Sequence, residues 1–101
     1  MSVASSLPRT LLAVLLLAGC ATAPPVQEMS DARQAIAAAR EAGAATFDAA
    51  GLASAEQQLA EAEGQLQQRV YWDARRLALD AKETAIAALL RSRSLREQAT
   101  Q

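Results

Sequence analysis

Arg69-Val70-Tyr71-Trp72-Asp73 decides how many helices this chain has. The stretch around it, Ala49–Gln98, contains no proline, and Gly64 sits mid-turn, where glycine costs about 1 kcal/mol against alanine. Without a break the stretch is one helix of about 75 Å at 1.5 Å rise per residue. Such a helix needs a partner chain to bury its stripe, and the heptads and flanking charge pairs of a coiled coil are only partly present. Within the quoted segment three bulky, β-favouring residues cluster, and Asp73 suits the N-cap of a following helix. A turn is therefore expected here, with a long coiled-coil helix pair as the alternative.

Working outward, Gly43 and Gly51 bracket a second breaker, GAATFDAAG. Gly43 suits the C-terminal cap of a helix and Asp48 the N-cap of the next. The result is an all-α, small antiparallel three-helix domain over residues 26–101, with helices at about 26–42, 49–69 and 72–98. Composition agrees. From Cys20 onward 23 of 82 residues are alanine, and Glu, Gln, Arg and Leu fill most of the rest, all strong helix formers.

The periodicity is explicit. Met29, Ala32, Ile36, Ala39 and Gly43 recur at spacings of three and four, as do Leu52, Ala55, Leu59, Ala62 and Leu66, and then Ala74, Ala78, Ala81, Ala85 and Ala88. Each segment carries one apolar stripe, flanked in the last by Leu77, Ile86, Leu89 and Leu95. Stripes this rich in alanine let helix axes approach closely but bury little area per residue.

The first 19 residues read as a signal peptide. Arg9 and the amino terminus supply positive charge, and Leu11–Ala18 is an apolar run too short for the roughly 20 residues of a membrane span. The run ends in Leu17-Ala18-Gly19-Cys20, which resembles the lipobox of bacterial lipoproteins. That resemblance implies cleavage before Cys20, a diacylglyceryl group on its sulfur and a third acyl chain on its amine. Two or more chains hold a protein on a membrane stably, one only marginally. In the family an Asp after the cysteine retains the protein in the inner membrane. Ala21 stands there instead, which in a Gram-negative cell implies the outer membrane, with the domain facing the periplasm. Residues 20–25, with Pro24-Pro25, read as the lipidated cysteine and a short extended tether.

From about Ser30 to Leu95 the chain resembles lipoproteins that carry domain of unknown function 4398. The resembling strings are Ala32-Arg33-Gln34-Ala35-Ile36, Ala42-Gly43-Ala44, Ala55-Glu56-Gln57-Gln58-Leu59-Ala60-Glu61-Ala62 and Tyr71-Trp72-Asp73-Ala74, followed by Ala78, Ala81, Ala85 and Ala88. The family's usual proline near the start of the second helix is absent, Asp48-Ala49-Ala50 standing there. The resemblance implies an envelope lipoprotein and no enzymatic activity.

Composition narrows the function further. The chain has no histidine and one cysteine, which removes the commonest general base and any CxxC metal or redox motif. Glu61 and Glu63 are the nearest carboxylates, and two positions apart on a helix they face different ways. No catalytic residue, metal ligand set or cofactor is expected beyond the covalent lipid on Cys20. A net charge of −1 gives no general attraction to nucleic acid.

Two groups are candidate partner contacts. Tyr71 and Trp72 either anchor a partner or fill the turn where alanines leave space, and Phe47 is expected to plug the other turn. Arg91, Arg93 and Arg96 make the tail locally basic. They either meet anionic phospholipid, peptidoglycan or an acidic protein, or complement a helix C-terminus. The expected partners are the membrane, through the lipid, and another envelope protein or a second copy. The alternative role is a self-associating structural lipoprotein that joins outer membrane to wall non-covalently. Covalent attachment is disfavoured, because the only lysine, Lys82, is internal to a helix.

Overall fold

The computed structural model describes residues 23–101, so the lipobox and Cys20 lie outside the described residues. The chain forms α1 (Val26–Glu41), a single turn α2 (Ala44–Phe47), α3 (Ala49–Gln67) and α4 (Tyr71–Ala99). No strand occurs among the described residues. Three long helices run up, down and up, with α4 as the spine. At 29 residues it is about 43 Å long, against about 24 Å for α1.

The turn that divides α3 from α4 is real, and the continuous coiled coil is ruled out. The break is earlier than expected, at Gln68-Arg69-Val70. Val70 N–H donates to the Gln65 carbonyl at 2.9 Å and Arg69 N–H to that of Leu66 at 3.0 Å. This is the Schellman closure, which requires a left-handed residue, and Arg69 takes it with φ 64°. Because the closure ends α3 at Gln67, α4 begins at Tyr71 with Val70 as its N-cap and no side-chain cap bond. Asp73 is therefore not the cap. It lies in the first turn of α4, where a carboxylate still suits the helix dipole.

At the other breaker Gly43 adopts φ 92° and terminates α1, its N–H donating to the Arg40 carbonyl at 3.0 Å. The segment between the glycines is more regular than a plain linker, because Ala44–Phe47 closes one helical turn. Asp48 caps α3 as expected, accepting from Gly51 N–H at 3.1 Å. Phe47 is half-buried with its ring over the Gly43 backbone.

The core is built of small side chains. On α4 the whole row Ala74, Ala78, Ala81, Ala85 and Ala88 is buried and Ser92 continues it, while Met29, Ala32, Ile36 and Ala39 face it from α1 and Leu52, Ala55 and Ala62 from α3. Two layers result. Met29, Ala62 and Ala78 pack with Leu66 and Leu77 near the start of α1. Ile36, Ala39, Ala44, Leu52, Ala55, Ala85 and Ala88 pack with Leu89 near its end. Leu59 touches both layers. Pro25, the last residue of the expected tether, is itself buried and directs the chain into α1.

Candidate functional site

Ion pairs lie along the seams between the helices. Arg75 lies 3.6 Å from Glu28 and Lys82 4.0 Å from Asp31, so the acidic start of α1 meets the basic side of α4 along parallel helices. These two pairs join parallel helices. Across the antiparallel pair α1 and α3, Arg33 meets Glu63 at 3.3 Å and Arg40 meets Glu56 at 2.6 Å. These two pairs are about half exposed, and such pairs contribute little to stability.

The candidate contact residues separate into two ends. Trp72 is 75% exposed, so it does not fill the turn. The alanine row explains this. Trp72 precedes Ala74 by two residues, about 200° around the helix, so a buried Ala74 turns the indole outward. Tyr71 is half-buried. Arg91, Arg93 and Arg96 occupy the far end of α4, and Arg93 is about 31 Å along the axis from Trp72. The structure therefore does not bring the aromatic pair and the arginines together.

One of the three arginines is paired and the other two line a hollow. Arg91 lies 3.8 Å from the capping carboxylate of Asp48. Arg93 and Arg96 line a hollow with Ala38, Glu41 and Ala42, beside the C-terminal end of α1. Carbonyls at a helix C-terminus favour cations, so the basic tail also suits this end of α1.

A third feature does not stand out in the sequence. Leu79, Ile86 and Leu90 are exposed on α4. Trp72, Leu79 and Ile86 recur every seven residues, so they share one face, opposite the alanine row, and Leu90 adjoins it. Ile86, expected to flank the buried stripe, belongs to this outer ridge, and Leu95 is exposed as well. The seven-residue spacing is visible in the sequence. It is masked by the longer and cleaner alanine row. Trp72 and Leu79 also line a shallow groove with Arg75, Arg76, Asp80 and Glu83.

Among the described residues no group of three His, Cys, Asp or Glu is placed to hold a metal ion, and no helix is long and apolar enough to cross a membrane. No family model matches the chain, and no curated protein or solved structure matches it either.

Proposed function

We propose that this chain is a non-enzymatic envelope lipoprotein with a helical domain of the domain-of-unknown-function 4398 type. Anchored through lipid on Cys20 in the outer membrane and facing the periplasm, it works as an adaptor that offers a helical surface to another envelope protein. The observation that carries the reading is the outer ridge of α4, where Leu79, Ile86 and Leu90 stay exposed on a helix whose opposite face is fully packed. Rows of apolar side chains on one helix face are a common mode of helix recognition. The family likeness is supported by the burial of its alanines, since Ala32, Ala55, Ala62, Ala74, Ala78, Ala81, Ala85 and Ala88 all lie in the core. The address rests on the signal-like run and on Leu17-Ala18-Gly19-Cys20.

In-cell photocrosslinking from Leu90 and Arg93, followed by mass spectrometry, tests this. One discrete heterologous product that disappears in Cys20→Ala is the expected result. Multiples of the chain's own mass would favour the self-associating structural role instead. Absence of any product from either position would overturn the adaptor.

A further inference from the structure

We propose that the end of the bundle carrying Trp72 is a membrane-contacting face, which seats the domain upright on the headgroups of the bilayer that anchors it. The proposal rests on the lipoprotein reading and adds a second, non-covalent contact with the same membrane.

Three observations converge on this end. The first is where the chain enters. Cys20 is three residues before Ala23, so at no more than about 3.6 Å per residue it lies within roughly 11 Å of it. Ala23 is tied to the bundle. Arg75 Nη2 donates to its carbonyl oxygen at 3.3 Å, and Pro25 is buried behind it. An anchor at Cys20 therefore holds the start of α4, as well as the start of α1, close to the bilayer surface.

The second observation is what is exposed there. Val26 is 72% exposed at the start of α1, and Val70 and Trp72 are exposed at the α3–α4 turn. Parallel packing of α1 on α4, which brings Glu28 to 3.6 Å from Arg75, puts all three at one end. Tryptophan with small apolar neighbours is the composition that partitions to the headgroup level, where the ring is half in hydrocarbon and its N–H stays hydrated.

Charge is the third. Arg69 projects from the turn tip and has no carboxylate partner among the described residues. Arg76 is exposed beside Trp72, 3.6 Å from Asp80. Facing them, Glu28 is tied to Arg75, and Asp73 lies in the first turn of α4. An unpaired guanidinium at the tip suits lipid phosphate. In this orientation α4 rises away from the surface and lifts its outer ridge clear of the lipid. Leu79, Ile86 and Leu90 then remain available to a protein partner.

Trp72 is the only tryptophan, so its fluorescence reports this face alone. The lipidated chain is reconstituted into phosphatidylethanolamine and phosphatidylglycerol vesicles, floated, and compared in plain and brominated lipid. Emission is expected to shift blue and to fall about twofold in brominated lipid. The triple variant Val26→Glu, Arg69→Glu, Val70→Glu should still float but lose most of that quenching. In a Trp72→Phe, Leu95→Trp variant the indole moves about 35 Å up α4 and should not be quenched. A chain that floats with equal emission in both lipids overturns the proposal while leaving the anchor intact. Equal quenching from position 95 also overturns it, because the domain then lies flat. A chain that does not float overturns the anchor and this face together.

Discussion

Arg75 joins the segment that leads into α1 to the longest helix of the domain: its guanidinium donates to the Ala23 carbonyl at 3.3 Å and lies 3.6 Å from Glu28. Both side chains of the ion pair are only about a quarter exposed, unlike the pairs between α1 and α3. The pair is made through Glu28 Oε1, and Oε2 is buried with no hydrogen-bond partner. Removing Arg75 leaves that carboxylate desolvated and unpaired. Arg75→Ala should cost about 1–2 kcal/mol. At this size that is a fall of about 4–8 °C in the melting midpoint per kcal/mol, read by circular dichroism. Arg33→Ala should change it by less than half as much. Equal losses from the two variants would contradict the difference in burial.

The alanine row predicts asymmetry around α4. Ala85 is fully buried between helices that approach closely, whereas Ala87 two residues on is exposed. Ala85→Leu should destabilise by about 1–3 kcal/mol or more through overpacking, and Ala87→Leu should stay within about 0.5 kcal/mol. Ser92 extends the row with a buried hydroxyl that has no partner, so Ser92→Ala should be neutral or slightly stabilising. Urea denaturation of the three variants gives the ordering. A stabilising Ala85→Leu would mean that the core is looser than described.

Two left-handed residues should respond in opposite directions. Arg69 at φ 64° bears the cost of a Cβ in that region, so Arg69→Gly should stabilise by about 1 kcal/mol. Gly43 at φ 92° already avoids it, and an added Cβ would also stand 3.1 Å from Phe47 Cδ2. Gly43→Ala should therefore destabilise by at least about 1 kcal/mol. Thermal melts of the pair check the sign, and a shift in the same direction for both would contradict the backbone assignment.

The α3 cap offers a further test. Asp48 accepts from Gly51 N–H, and a Cβ on Gly51 would fall 2.3 Å from Asp48 Oδ2. Asp48→Ala should cost about 1–2 kcal/mol, whereas Asp48→Asn keeps a capping oxygen and should cost less. Gly51→Ala should lose much of the same stability by displacing the carboxylate. In the Asp48→Ala background it should become nearly harmless. A double-mutant cycle measures that coupling, and strict additivity would show that Gly51 matters for another reason.

Much of the fold is legible because it is local. Alanine rows at spacings of three and four, a glycine after α1 and an Asp before α3 each act within one or two turns, and each is found where the pattern puts it. Leu59 and Leu66 are less buried than their stripe implies, since thin alanine neighbours leave their edges open. Arg69 is not legible as the left-handed residue, because that conformation favours glycine and an arginine gives no signal for it. The same closure moves the α4 cap from Asp73 to Val70.

The site divides in the same way. The sequence by itself determined that residues 26–101 are helical and that α4 packs through alanine. These follow from residue type and spacing alone. Only the tertiary structure decided that α1 runs parallel to α4, that Arg75 holds Ala23, and that Trp72 points away from the turn beside it. Large side chains near a turn suggest plugging when neighbours are small. Here Ala74 takes the core-facing position two residues on, so Trp72 is carried to the opposite side of α4 and its ring stays outside.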